Sequence, residues 1–166
     1  MAVRDRLYLD ANIFINTFEA RDEVGAAVLQ LLLSQNPTRP EIVTSDLTLA
    51  EVLVGPFRER DDSLIETYEG WLISNPAIVL APVQRDALVA AALLRADYPT
   101  LKLADAIHVA IAIGMECSKL LTADKKLSGD YRIANWRYGI SATSASVTIV
   151  RPEITFLDAL AAGANP

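Results

Sequence analysis

Short apolar segments alternate with amphipathic helical segments along this chain of 166 residues. Apolar runs of three or four residues indicate buried strands, and apolar residues spaced by three or four indicate helices. Strands are predicted at 6–9, 41–44, 78–80, 119–122 and 147–150, and helices at 13–18, 22–35, 46–55, 63–73, 84–95, 103–116 and near the C-terminus. This alternation predicts a single α/β domain, 1–166: a three-layer α/β/α sandwich with a mainly parallel, roughly five-stranded sheet.

Local signals set the expected ends of several helices. Asn12 is a good N-cap for the helix at 13–18. Ser63 opens a segment of capping-box form. Gly55-Pro56 is expected to end the helix that carries Glu51.

Composition indicates a compact protein of the reducing cytoplasm. Hydrophobic residues make up 52% of the chain, and its one cysteine, Cys117, lies in an apolar helical pattern. A disulfide within the chain is therefore impossible, and we expect Cys117 to be a small buried hydrophobe. The N-terminus lacks a signal-peptide pattern, and the apolar run at 106–115 is too short to span a bilayer. We expect a cytoplasmic protein with no membrane partner.

Four carboxylates lie in four separate apolar segments. Asp10 follows the first predicted strand and Asp124 the fourth, while Glu51 and Asp105 lie on predicted helices. Acidic side chains are normally kept off buried surfaces unless they are paired. Because ligands gather at the carboxyl ends of parallel strands, we expect Asp10 and Asp124 at one sheet edge, with the two helical acids leaning over it.

Each acid alone has a simple structural interpretation, as a helix cap, a dipole partner or, for Glu51, an ion pair with Arg58. Together the acids repel: two like charges ~4 Å apart cost about 1 kcal/mol in water and about 4 kcal/mol at a dielectric of ~20. A cluster of four would take up protons or bind cations. Oxygen ligands suit Mg²⁺ or Mn²⁺, so the pattern indicates a metal-dependent enzyme acting on phosphate esters.

The net charge of −6 argues against a generic basic nucleic-acid binder. Without the four acids, 17 acidic residues face 15 basic ones, so two-thirds of the excess belongs to the predicted site. Basic residues close to the acids in sequence include Arg58 and Lys125. They are candidates for phosphate contacts, with ordinary solvated surface charge as the simpler interpretation.

The four acids lie in four motifs: DANIFI at 10–15, LTLAEVL at 47–53, LADAIHVA at 103–110 and LTADKKL at 121–127. In this order the motifs resemble those of the PIN-domain nucleases, and in particular the VapC-type ribonuclease toxins of type II toxin–antitoxin systems. The resemblance implies an endoribonuclease dependent on Mg²⁺ or Mn²⁺.

The resemblance also implies roles for individual residues and for partners. Asp10 and Asp105 would coordinate the metal, and Glu51 and Asp124 would complete the acidic pocket. Asn12 and Thr122 match positions that support the site by hydrogen bonding. The implied partners are an RNA substrate, a second copy of the chain in a homodimer, and a VapB-like antitoxin whose C-terminal segment blocks the active-site groove.

Two features depart from the family pattern: the overall acidity, which means that contacts with RNA must be local, and the polar segment 131–146, for which the family gives no role. The polar segment 131–146 contains Trp136-Arg137-Tyr138, which could stack on bases or belong to loop packing or a protein interface. His108 lies one turn after Asp105 and could approach substrate, but the resemblance makes it an ordinary helix residue.

Three alternatives were weighed against this interpretation. A haloacid-dehalogenase-type phosphatase needs a second Asp two positions after the first, where this chain has Asn12. A signalling receiver domain needs an acceptor Asp after the third strand, where this chain has Ala81-Pro82. A catalytically inert PIN scaffold that binds protein or RNA is the non-enzyme alternative, against which the presence of all four acids argues.

Overall fold

The computed structural model describes residues 5–134, 145–164 and 166. Within these ranges six strands form one sheet: Arg6–Leu9 (β1), Glu41–Ser45 (β2), Ile78–Ala81 (β3), Lys119–Leu121 (β4), Asp130–Arg132 (β5) and Ser146–Val150 (β6). The α-helices described are Ala11–Ile15 (α1), Glu23–Leu33 (α2), Asp46–Val52 (α3), Val54–Glu59 (α4), Asp62–Leu72 (α5), Arg85–Asp97 (α6), Leu103–Gly114 (α7) and Ile154–Ala161 (α8). A π-helical turn, Asn16–Ala20, follows α1.

The strand order is β3-β2-β1-β4-β6-β5. Neighbouring strands are parallel except for β5, which pairs antiparallel with β6. The predicted parallel sheet is confirmed, but it has six strands instead of roughly five. Strand β5 was not predicted, because it has three residues of which only Tyr131 is buried.

Side chains alternate between the two faces of the sheet and so build two apolar cores. Leu7 and Leu9 of β1 pack on one face with residues of α1, α2, α3, α5 and α8, while Tyr8 packs on the other with residues of α6 and α7. Helices therefore cover both faces, which confirms the three-layer sandwich. Cys117 is buried in the same apolar core as Tyr8, as expected.

Three expected helix ends are wrong. Asp10, not Asn12, is the N-cap of α1, and Asp61, not Ser63, caps α5 by accepting from the Leu64 amide. The segment Gly55-Pro56 lies in the first turn of α4 instead of ending a helix. Proline is tolerated there because the amides of a first turn have no intrahelical partner.

The segment 131–146 begins at the second residue of β5 and ends at the first residue of β6. Trp136-Arg137-Tyr138 lie outside the described residues. In the described part of the chain, no helix is both long enough and apolar enough to cross a membrane.

Candidate functional site

The parallel neighbours β1 and β4 end side by side, with Leu9 opposite Leu121, and the next residues of both strands form the site. Asp10 is almost fully buried there. One of its carboxylate oxygens accepts from the Ala11 amide at 2.7 Å. Three donors in all hold this carboxylate, and such charge-assisted bonds fix its orientation.

The other two donors are Asn12 and Thr122, which bond to the second carboxylate oxygen of Asp10 at 2.6 and 2.7 Å. The buried Thr122 hydroxyl also accepts from the Asn12 amide at 2.9 Å and from the Asp124 backbone N–H at 3.0 Å. The side-chain carbonyl oxygen of Asn12 in turn accepts a hydrogen bond from the Ala123 backbone N–H. Asn12 and Thr122 therefore connect the end of β1 to the loop after β4. This geometry fits their expected role in supporting the site, which stays a prediction.

Asp124 lies in the loop that follows β4. One oxygen of its carboxylate accepts from the backbone N–H of Lys126 at 2.9 Å. Arg151, just past β6, donates to the backbone carbonyls of Thr122, Asp124 and Leu127 and so closes the loop. Arg151 was not predicted from the sequence, since its only signal there is its position after a strand that lies beside β4.

Glu51 reaches the site from α3, with 36% of its side chain exposed. Its Oε2 lies 2.8 Å from Nε2 of His108 on α7, and the same nitrogen lies 3.6 Å from a carboxylate oxygen of Asp10. Ligand atoms of these three residues lie within 4.8 Å of one another. Glu51 therefore pairs with His108 and not with Arg58, which is exposed on α4.

His108 is buried, and its other ring nitrogen contacts Tyr8. Nδ1 lies 2.8 Å from the Tyr8 hydroxyl, which is also 2.8 Å from the hydroxyl of Ser45 at the end of β2. Burial raises the pKa of Tyr8 well above its ordinary range, so the phenol stays protonated. The interpretation of His108 as an ordinary helix residue was wrong, because its ring contacts two of the four acids.

Asp105 lies in the first turn of α7, where the charges of other acids affect its pKa. Its pKa is raised, first by partial burial and then by the charges of Asp10 and Asp124, while His108 and Lys102 oppose the rise. Three carboxylates therefore interact electrostatically, and Glu51 joins them through His108. The pocket has an excess of negative charge that a divalent cation would offset.

Arg58 and Lys125 are both exposed, the first on α4 and the second directly after Asp124 in the chain. Their contact with phosphate stays a prediction.

Solved structures of toxin–antitoxin proteins share this fold. One chain of a toxin–antitoxin complex from Klebsiella pneumoniae is 24% identical, and the alignment covers 89% of this chain and 98% of that chain, with a TM-score of 0.58. VapBC2 of Rickettsia felis, bound to a DNA fragment from its promoter, is 17% identical over 72% of this chain and 87% of that one, with a TM-score of 0.57. VapC20 of Mycobacterium tuberculosis, a sarcin–ricin loop cleaving toxin, is 17% identical over 69% and 86%, with a TM-score of 0.55.

A comparison with curated protein sequences gave no significant match. The sequence model of the PIN domain matches residues 7–129, from β1 through the loop that carries Asp124. The matched range contains all four acids, together with Asn12, His108 and Thr122. The chain belongs to the PIN domain family.

Proposed function

We propose that this protein is a metal-dependent endoribonuclease, the toxin of a VapBC-type toxin–antitoxin pair. The observation that carries the proposal is that Asp10 and Glu51 both lie beside His108 at one sheet edge, where the charges of Asp10 and Asp124 also raise the pKa of Asp105. The four acids come from four different parts of the chain. Membership of the PIN domain family supports it, as does the likeness in fold to a toxin that cleaves the sarcin–ricin loop.

The donor set fits a hard divalent cation. The acids offer carboxylate oxygens, which suit Mg²⁺ or Mn²⁺, and the repulsion that raises the pKa of Asp105 is the charge imbalance that such an ion relieves. Asp10 and Asp105 would hold the ion, with Glu51 and Asp124 completing the pocket. When bound, the ion would supply positive charge against the scissile phosphate and acidify water.

Other roles in the reaction, which are positioning the acids and contacting RNA, would belong to individual side chains. Asp10 is rigid, because three donors hold it, and Asn12 and Thr122 supply two of them. Asp105 is half-buried in the first turn of α7, and the charges of Asp10 and Asp124 help to raise its pKa, so a bound cation would keep its carboxyl ionised. Lys125 and Arg58 would contact the RNA backbone.

The same pocket suggests the protein partners. Two of the similar structures are complexes of the toxin–antitoxin kind. A VapB-like antitoxin with a basic C-terminal side chain would bind this negatively charged pocket and compete with RNA. We further propose that the chain acts in the cytoplasm as a homodimer. Co-expression with a small DNA-binding protein encoded immediately upstream, followed by purification of one component, tests the pairing.

Replacing Asp10 with Asn tests the enzymatic claim. We expect the purified variant to lose Mg²⁺- or Mn²⁺-dependent RNA cleavage, because the amide removes a charge from the ion site while keeping the shape of the side chain. Asp97→Asn, at an exposed position near the end of α6, is the matched control and should cleave like the wild type. Undiminished metal-dependent cleavage by Asp10→Asn would reject the proposal. A wild-type protein that binds RNA or antitoxin but no Mn²⁺ would indicate the inert scaffold.

A further inference from the structure

A chain of hydrogen bonds runs from the interior of the sheet to the acidic pocket. It links Ser45, Tyr8, His108 and Glu51, each pair separated by 2.8 Å. The four residues come from four elements, β2, β1, α7 and α3. The first three are buried, whereas Glu51 is partly exposed to the pocket. These hydrogen bonds therefore connect buried residues of the sheet to the Glu51 side chain, which makes no other side-chain hydrogen bond with the described residues.

The chemistry of the groups fixes the proton that faces Glu51. An ionised carboxylate only accepts hydrogen bonds, so Nε2 of His108 must donate at this distance. If the ring is neutral, Nδ1 accepts from the Tyr8 hydroxyl, which accepts from Ser45. If the ring is charged, Nδ1 donates to Tyr8 and Tyr8 donates to Ser45. In both forms Nε2–H points at Glu51.

We propose that His108 is a positioning residue that holds Glu51 by Oε2 and leaves its second oxygen free for a divalent cation. This inference rests on the proposed function. A glutamate side chain has several rotatable bonds, and repulsion by Asp10 and Asp105 favours rotamers that point away from the pocket. The Nε2–H donor opposes that repulsion, so the acid is in place before the ion arrives. His108 acts through Glu51 and is not itself a ligand, because its Nε2 lone pair is occupied by the proton.

Two variants of His108 separate positioning from packing. His108→Gln keeps an N–H donor near the Nε2 position, whereas His108→Leu keeps volume without a donor. Outer-shell partners of metal ligands typically contribute about 10–100-fold to metal affinity, so we expect His108→Leu to weaken Mn²⁺ binding by about that factor in calorimetry of the full chain. His108→Gln should bind much closer to the wild type. Ile111→Val, a buried change one turn along α7, is the packing control and should leave Mn²⁺ affinity unchanged.

Equal Mn²⁺ affinity in His108→Leu and the wild type would overturn the inference, as would equal losses in the Leu and Gln variants. A wild type that binds no Mn²⁺ would contradict the metal site itself, and the inference with it. Mn²⁺ binding that is normal in the wild type and in both variants would contradict only the role of His108.

Nitrogen NMR of the wild type needs no variant, so it decides the matter even if His108→Leu does not fold. His108 is the one histidine of the chain, which makes its ring signals unambiguous. We expect Nε2 to carry a proton both without metal and at saturating Mg²⁺. Loss of that proton when Mg²⁺ binds would identify His108 as a direct ligand and overturn the positioning role.

Discussion

At the scale of one residue, Asp105 shows how an acid of the site lowers the free energy of unfolding. Its pKa is raised by burial and by the charges of Asp10 and Asp124. The folded protein therefore binds this proton more tightly than the unfolded chain, and ionising Asp105 lowers the free energy of unfolding. This unfavourable contribution is absent at low pH and develops as pH rises from the ordinary aspartate range through the raised pKa.

We predict that Asp105→Asn is more stable than the wild type at pH 7 when divalent ions are removed by a chelator. For a chain of this size, 1 kcal/mol corresponds to about 2–4 °C in Tm, so thermal unfolding can resolve the difference. The gain should shrink as pH falls through the raised pKa of Asp105 towards the ordinary aspartate range, because the folded wild type takes up its proton there. Saturating Mn²⁺ should reverse the order, because the wild type gains more from the ion.

The exposed Asp97→Asn change serves again as the control and should not alter Tm in this way. If Asp105→Asn is no more stable than the wild type at pH 7 without divalent ions, the acids do not repel one another as the account requires.

At the scale of elements, the loop after β4 is ordered by a residue from another strand. The guanidinium of Arg151 donates to the carbonyls of Thr122, Asp124 and Leu127. A planar group with several donors can satisfy separate acceptors at once, which a lysine ammonium does with less directional constraint. Arg151 therefore holds the backbone of the loop that carries Asp124, through three carbonyls and not through a carboxylate.

We predict that Arg151→Lys destabilises the protein by about 1–3 kcal/mol, the range for losing charge-assisted hydrogen bonds. Amide hydrogen exchange should speed up in the loop at 122–127 more than in α2, on the far side of the sheet. Arg132→Lys, an exposed change on β5, is the matched control. Unchanged exchange in the loop of Arg151→Lys would show that the backbone orders it without the guanidinium.

The elements themselves were largely predictable, because they follow local apolar patterns. All five expected strands exist, and the acids follow or lie on the expected elements. The missed strand β5 has one buried residue in three, which is too little for a pattern. Helix ends were less predictable, since several side chains can cap the same unpaired backbone amides. In α1 the cap is Asp10 instead of Asn12. The Asn12 side chain donates to Asp10 and Thr122 instead.

The sequence also predicted that the acids come together, and the structure places Asp10 and Glu51 beside one histidine. The two basic side chains around them, His108 and Arg151, were not predictable. His108 lies in a helix that is apolar on nearly all sides, so its sequence context indicates core packing. Its role depends on Tyr8 and Glu51, which are 100 and 57 residues away. Arg151 likewise acts on a loop more than 20 residues earlier. Such contacts exist only after the sheet has formed, and no local pattern encodes them.

For the whole molecule, the sheet order determines where charge accumulates. Placing β1 beside β4 brings Asp10 and Asp124 to one edge, and helices α3 and α7 add Glu51 and Asp105. The four acids account for two-thirds of the net charge of −6, so most of the excess negative charge belongs to this one site. The fold thus gives a local negative charge, which suits a cation, to a protein whose total charge does not favour RNA.

A crystal structure of the wild-type protein grown with saturating Mn²⁺ tests this account most directly, because anomalous scattering locates the ion without assumptions. We predict a peak within coordination distance of Asp10 and at least one other acid of the pocket. Crystals that contain Mn²⁺ elsewhere, or nowhere, while the four carboxylates stay free would contradict the central claim.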